Sequence, residues 1–336
     1  MANKPVTIKE IARKLRISPS TVSRALNDHP SIGLVTTERV KKMAAELGYE
    51  PNQTAIFFKQ RRTFIIGVIL PKLSEPFFAE AISAIEDEAA KHNYTVLLGQ
   101  SLDSIEREKN IVNTFRNHRV DGIIMSLGKN TTDLSFTEAL NKYNIPIVFF
   151  DCVPEQLNVP KVSCDLSTGI YEAIEAFKQR GHQHVALING PETLHASVER
   201  THSFKQALER CGLPFHEDYV SHTDLTEKGN FEAFQRLRNL KEKPSAVLSF
   251  NDFVTLDLIK YAKENNVLIG YDIHVISFAN YPLWKYMDNP PLASIEQYPA
   301  EQASIASRML FRLINNEGKE ELPVENAKLS SKLVYQ

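Results

Sequence analysis

The chain has 336 residues, 43% apolar and 24% charged, with a formal net charge of -2, which places it among ordinary globular proteins of about two domains. No apolar run approaches the roughly 18 to 20 residues of a membrane span, and MANKPVTIKE has no apolar signal core, so a cytosolic protein without a membrane partner is expected. Cys152, Cys164 and Cys211 form an odd, widely spaced set with no CxxC pair, which suits reduced thiols buried as small apolar residues. The small net charge hides an asymmetry. Residues 1–62 hold twelve Lys or Arg against five Asp or Glu, a net +7 that leaves -9 on the remainder. A small basic module beside an acidic body points to a polyanionic partner for one end only.

In VTIKEIARKLRISPSTVSRALND, the apolar positions Ile8, Ile11, Ala12 and Leu15 recur at helical spacing, and so do Val22, Ala25 and Leu26. Each run has its own start signal. Thr7 with Glu10 forms a capping box, and Ser18 before Pro19 reads as an N-cap with proline at the first helical position. Spacing alone fits any helical hairpin. The basic charge favours a helix-turn-helix, whose second helix enters the major groove and reads base edges from its N-terminal residues. A third helix is expected over TTERVKKMAAELGY, with Val40, Met43, Ala44 and Leu47 on one face and Gly48 as its stop. The connector NQTAIFFKQRR, residues 52–62, then sets Ile56, Phe57 and Phe58 beside Lys59, Arg61 and Arg62.

After Arg62 the chain alternates apolar β-rich runs with amphipathic stretches: FIIGVIL, YTVLLGQS, DGIIMSL, IPIVFFD, VALING, AVLSFND and HVISFAN. Such runs indicate parallel sheets covered on both faces. There are too many for one compact sheet, and the series restarts after VSCD near 165, so two lobes are expected. Ligands of these sheets sit beyond the carboxyl ends of the strands. Ser126, Asp151, Asn251, Asp252 and Asn280 fall there, where residues of these types also serve as helix caps and turn formers. GxGxxG is absent because no two of the 13 glycines are one residue apart, and GxxxxGK[ST], GxSxG and HExxH are absent too. His182 and His184 lie two apart with no third ligand evident, so no metal and no cofactor are expected. The chain is not expected to be an enzyme.

The strings VTIKEIARKLRISPSTVSRALN and ERVKKMAAELGYEPN resemble the headpiece of the lactose-repressor and galactose-repressor (LacI/GalR) family of bacterial transcription regulators. The likeness continues through RVDGIIMS, IPIVFFD, GHQHVALINGPE, FND and ASIEQYP, and so covers essentially the whole chain. It implies an all-α helix-turn-helix headpiece (1–51), a hinge helix (52–62) and a periplasmic-binding-protein type I-like α/β body (63–336). The body would comprise two Rossmann-like lobes, one of about 63–164 and 298–326, the other of about 165–297 and 327–336. The resemblance further implies a homodimer on pseudo-palindromic operator DNA, whose affinity changes when a small effector, a sugar or sugar derivative, binds between the lobes. A sugar-binding protein of the same fold without DNA regulation is the alternative.

By the same resemblance, Pro19, Ser20 and Arg24 read bases. Arg24 is suited to a bidentate contact with guanine worth roughly 1 to 3 kcal/mol, while Thr21, Ser23 and Asn27 meet phosphates. Thr7, Ser18 and Arg16 complete the DNA-facing set in the headpiece. Arg16 stands in the turn where the family often has glycine, either touching phosphate or simply solvated. In the hinge, Asn52, Ala55 and Phe58 occupy the family's positions, with Phe58 in place of the usual leucine; Phe58 either wedges into the minor groove or packs on protein. Effector contacts carry over to Phe77, Phe78, Ser126, Asp151, Arg200, Asn251 and Gln297, although Phe77 and Phe78 would serve equally well as core. Where the family often has an aspartate, this chain has Ala279 followed by Asn280, and Asn280 completes the expected effector contacts.

Overall fold

A computed structural model describes residues 6–50, 62–316 and 322–336, and the chain divides into two compact units between Thr63 and Phe64. The hinge positions Asn52, Ala55 and Phe58 lie outside the described residues. No helix among those described is long and apolar enough to cross a membrane.

The first unit holds α1 (Ile8–Leu15), α2 (Pro19–Leu26) and α3 (Leu34–Glu46). Ile11, Ala12, Val22, Ala25, Val40 and Ala44 bury one face of each helix in a common core, so the helical spacing of the apolar residues is what holds the headpiece together. Helix α3 begins two residues earlier than its sequence pattern suggests. Gly33 caps it, and Leu34 and Val35 stand 82% and 73% exposed. It ends as expected: Gly48 adopts a left-handed conformation (φ 61°), and the N–H of Tyr49 reaches back to Ala44 O at 2.9 Å. Those are the elements of a Schellman stop.

The second unit contains two six-stranded sheets. The first is built from β1 (Ile65–Leu70), β2 (Thr95–Gln100), β3 (Gly122–Met125), β4 (Ile147–Phe150), β5 (Lys161–Asp165) and β11 (Asn326–Ser330), in the order β11-β5-β4-β3-β1-β2 and all parallel. The second is built from β6 (Val185–Asn189), β7 (Val220–His222), β8 (Ala246–Ser249), β9 (His274–Phe278), β10 (Ala293–Glu296) and β12 (Lys332–Tyr335), in the order β12-β10-β9-β8-β6-β7. Only β12 runs antiparallel. Between the strands lie α4 (Pro76–Lys91), α5 (Ile105–Asn117) and α6 (Phe136–Lys142) in the first lobe, and α7 (Ser167–Gln179), α8 (His195–Cys211), α9 (Glu227–Arg238) and α10 (Asp252–Glu264) in the second. The last helix, α11 (Pro299–Asn316), returns to the first lobe, where Ala303, Ala306, Leu310 and Phe311 pack with Ile66, Val68 and Ile85 of β1 and α4.

The chain thus passes between lobes three times, after β5, after β10 and at Ser331. The last passage corrects the sequence boundary at 327, because β11 pairs with β5 in the first sheet from Asn326↔Lys161 to Ser330↔Asp165. Its alternating exposed and half-buried residues carry none of the continuous apolar signal of a central strand. Each sheet reverses its winding between its first and third strands, β1/β3 in one lobe and β6/β8 in the other. Ligands of doubly wound sheets bind at such points, beyond the carboxyl ends.

Candidate nucleic-acid interface and ligand cleft

In the headpiece the two short helices are fixed by their ends. The N–H of Thr7 donates to Glu10 Oε2 at 3.1 Å, the return half of the capping box. Arg16 closes α1 in the left-handed region (φ 54°, ψ 43°), while the N–H of Ile17 bonds Ala12 O at 3.1 Å. The glycine-type conformation is therefore present without the glycine. Ser18 Oγ accepts from the N–H of Thr21 at 3.0 Å and lies 2.7 Å from Ser20 Oγ and 2.8 Å from Thr21 Oγ1, so the hydroxyls of the first turn of α2 order one another.

Val22 and Ala25 turn into the core, which leaves Pro19, Ser20 and Arg24 exposed. Asn27 Nδ2 donates to Ser23 O at 2.7 Å. Every described member of the set assigned to DNA is exposed or half-exposed: Thr7, Arg16, Ser18, Pro19, Ser20, Thr21, Ser23, Arg24 and Asn27. Arg16→Gly would relieve about 1 kcal/mol of backbone strain. If the side chain meets a phosphate, the same substitution lowers the slope of log affinity against log salt by about 0.9 per headpiece. Operator binding at several salt concentrations checks this, and an unchanged slope assigns Arg16 to solvent.

A cavity of about 550 Å³ opens between the lobes at the carboxyl ends of both sheets. Of the eight expected effector residues, Phe77, Phe78, Asp151, Arg200, Asn251 and Gln297 line it, whereas Ser126 and Asn280 do not. Ser126 is fully buried behind the wall and donates from Oγ to Asp151 Oδ2 at 3.1 Å. Asn280 faces away: its Nδ2 donates to Glu296 Oε2 at 2.8 Å and its Oδ1 accepts from Gln336 Nε2 at 2.8 Å. Asn251 serves two ends at once, since it lines the cavity while its Oδ1 caps α10 at Val254 N (2.9 Å). Phe77 and Phe78, edge to face at 5.2 Å, likewise belong both to the wall and to the first lobe's core.

Arg200, in α8, is only 6% exposed. Its guanidinium lies 4.0 Å from the ring centre of Phe250 and 4.5 Å from that of Phe278. Both Nε and Nη1 are buried without a hydrogen-bond partner. Burial pulls its pKa down to about 10, against the opposing influence of Cys152 and Asp151. Asp151 is pushed up by burial, with Ser126 and Arg200 drawing it back. The site thus holds a cation and a carboxyl close enough to influence each other, and a guanidinium with donors to spare.

Several wall residues gave no clear sequence signal. Glu75 is the N-cap residue of α4, and burial lifts its carboxyl to about 7; Lys72 opposes the rise, while Asp151 and Asp103 add to it. Lys72 Nζ lies 3.9 Å from Glu75 Oε1 and 5.0 Å from the ring of Phe253 in the other lobe. Lys129 Nζ crosses the lobes to Asp224 O at 3.0 Å. Cys152 and Cys164 were expected to be buried apolar residues, yet both are half-buried in the cleft wall, because β4 and β5 deliver them at their carboxyl ends; only Cys211 is buried in a core. The only local hint at Glu75 is a carboxylate directly before proline in SEPFF.

A folded-state carboxyl raised from 4.5 to about 7 binds protons that the unfolded chain has already released. Stability therefore falls as pH rises through that window, and the penalty is complete above it. Glu75→Gln should stabilise the fold at pH 8 by on the order of 1 to 3 kcal/mol, raising the melting temperature there, and change it little at pH 5. Paired thermal melts at the two pH values test the sign.

A helix-turn-helix unit joined to two doubly wound lobes that share a cleft defines a ligand-responsive DNA-binding regulator. The chain belongs to the LacI family: residues 7–52 match the bacterial regulatory proteins of the lacI family, and residues 63–329 match the periplasmic binding proteins and sugar binding domain of the LacI family. Catabolite control protein A of Priestia megaterium is 30% identical over 315 residues, 93% of each chain. The HTH-type transcriptional repressor CytR of Escherichia coli (strain K12) is 32% identical over 291 residues, 87% of this chain and 84% of that one. Among solved structures, the lac repressor dimer bound to operator and the anti-inducer ONPF matches in fold with a TM-score of 0.82 over 98% of both chains, at 24% identity. A complex of the transcriptional regulator CelR with cellobiose matches with a TM-score of 0.70 over 98% of both, at 23% identity.

Proposed function

We propose that the protein is a homodimeric, non-enzymatic transcriptional repressor whose two headpieces read a pseudo-palindromic operator, and whose operator affinity is set by a small polyhydroxylated ligand, a sugar or sugar derivative, in the interlobe cleft. The observation that carries the ligand half is Arg200. Phe250 and Phe278 lie against its guanidinium, and Nε and Nη1 have no protein partner. Buried donors without partners cost free energy that bound acceptors recover, and Nε and Nη1, on opposite edges of the guanidinium plane, offer fixed donors to separate oxygens of a polyhydroxylated ligand. Aromatic surface from Phe77, Phe78 and Phe250 supplies the apolar face on which a pyranose stacks. Asp151 and Gln297 lie in the same wall for the remaining hydroxyls.

Thr7, Arg16, Ser18, Thr21, Ser23 and Asn27 position the headpiece on phosphates, with Pro19, Ser20 and Arg24 at the bases and Asn52, Ala55 and Phe58 at the operator's centre. Ligand and operator are linked through the lobes. A ligand that weakens operator binding must itself bind the operator complex less tightly by the same factor. Thermal-shift screening against sugars and purines, with operator binding at two salt concentrations in the presence and absence of each hit, tests the reading. A ligand that shifts melting and operator affinity together is the expected result. No operator affinity at low salt, with or without ligand, would sink it, and a purine hit without a sugar hit would replace the ligand class.

A further inference from the structure

Three pieces of the second lobe converge on Asp252, the first residue of α10. Its carboxylate is fully buried. It accepts hydrogen bonds from Ser277 Oγ in β9, from Ser294 Oγ in β10 at 3.1 Å, and from the backbone N–H of Tyr281 at 2.6 Å. Ser277 Oγ and Ser294 Oγ lie 3.0 Å apart, and Ser294 Oγ accepts the N–H of Asn280 at 2.8 Å. Two successive N–H groups after β9 are therefore held, one by Asp252 itself and one by a serine that Asp252 orients.

The backbone they hold is unfavourable. Ala279 has φ 93° and Asn280 φ 54°, and neither is glycine. Residues kept in such regions are strained and persist only where the surroundings over-determine them. The resulting turn carries Ala279 and Tyr281 into the wall of the cleft. Tyr281 meets Phe253 edge-on at 5.5 Å, and Ala279 and Tyr281 join the apolar cluster of Phe77 and Phe78 in the other lobe. Asp252 itself does not line the cavity.

An acidic residue in the first turn of a helix ordinarily complements the helix dipole from the surface. Full burial is a different situation, because an apolar residue there would avoid the desolvation cost. Burial raises this carboxyl to about 6 in spite of its donors, so the group is retained against that cost.

We propose that Asp252 is a positioning residue for the ligand site: its carboxylate holds the turn at 279–281, with Ala279 and Asn280 in the left-handed region, and so sets both the Tyr281 wall of the cleft and the seam where the second lobe bears on the first. The proposal rests on the cleft being the ligand site, but its test does not need the ligand.

Hydrogen exchange is measured on the full chain for wild type, Asp252→Ala, Asp252→Asn and Ser294→Ala. Asp252→Ala should accelerate exchange at Asn280 and Tyr281 by about tenfold or more, the effect of losing one buried charge-assisted hydrogen bond, while β8 and β9 stay slow. Ser294→Ala should do the same at Asn280. Asn keeps an acceptor oxygen for Tyr281 N–H, so Asp252→Asn should restore most of the protection. Trp284, the single tryptophan, lies beside the carboxylate; its emission should shift to the red in Asp252→Ala and stay near wild type in Asp252→Asn. Unchanged protection at 279–281, uniform acceleration across the lobe, or no rescue by Asn overturns the proposal. If Asp252→Ala does not fold, Ser294→Ala decides by the same local-against-uniform comparison. A cleft that binds no small molecule leaves the exchange pattern intact, which separates failure of the site from failure of Asp252's role.

Discussion

Arg200→Met should abolish the ligand response while leaving the operator affinity of the ligand-free protein within a few-fold of wild type. Two hydrogen bonds from a charged group to a ligand contribute about 3 to 5 kcal/mol once burial has removed competing water, a factor of roughly 150 to 5,000 in affinity. Stability should move the other way or hardly at all. Burial pulls the Arg200 pKa down to about 10, so the charge itself is disfavoured there, and an unbranched apolar side chain keeps contact with Phe250 and Phe278 without it. The counter-effect falls on Asp151, which loses a nearby cation and is pushed further up. Arg200→Lys makes the contrast sharper: it keeps a charge but has neither the planar group that lies against two rings nor the fixed donors at Nε and Nη1, so it too should lose the ligand. Thermal shift with a ligand hit and operator titration read the two effects separately. Ligand-dependent operator release surviving in Arg200→Met would remove Arg200 from the site.

The headpiece was the most legible part of the sequence because its short helices carry local signals at nearly every boundary. The Thr7–Glu10 pair, Ser18 before Pro19 and Gly48 each appear as the cap or stop that their chemistry suggests. The central strands were legible for another reason: IIGVIL, GIIM, IVFF and VALIN are buried on both faces and therefore read as continuous apolar runs. The same logic hides two of the edge strands. Strand β11 alternates exposed and half-buried residues, and β7 has three residues, so neither leaves a periodic trace long enough to stand out from a loop.

The cleft was legible as a place and only partly as a list. Polar residues at strand ends pointed to Ser126, Asp151, Asn251 and Asn280, but strand position does not decide which way a side chain turns. Asp151 leaves β4 with φ 60° and enters the cavity, while Ser126 stays behind it as a donor. Asn280, after the strained Ala279, turns towards Glu296. Glu75 and Tyr281 gain their importance from tertiary burial and from the meeting of two lobes, neither of which local sequence encodes. In place of the family's frequent aspartate, Ala279 contributes backbone shape. The hydrogen bonding around that turn falls to Asp252, behind the wall.

Arg24→Ala is the corresponding test of the headpiece. Arg24 is exposed in the last turn of α2, one helical turn after Ser20, while Val22 and Ala25 hold the opposite face in the core. Truncating it should leave the fold within about 0.5 kcal/mol, as for exposed residues free of special contacts. Its effect on DNA should be large because the reading helix offers so little else. Pro19 has no donor, and the Ser20 hydroxyl lies 2.7 Å from Ser18 Oγ, so in the proposed reading base discrimination would fall to the one long planar donor. A lost bidentate guanine contact costs about 1 to 3 kcal/mol per half-site. Across two half-sites this becomes about 2 to 6 kcal/mol, or a loss of roughly 30-fold to more than 10⁴-fold. The charge alone accounts for much less, about 0.9 in the salt slope per headpiece. Operators selected from random duplexes, titrated beside an unrelated duplex at two salt concentrations, separate the two contributions. The expected result is a large loss on operator, a small loss on the unrelated duplex, and relaxed preference at one base pair in each half-site. Equal losses on both duplexes would make Arg24 a phosphate contact and move base reading elsewhere in the headpiece.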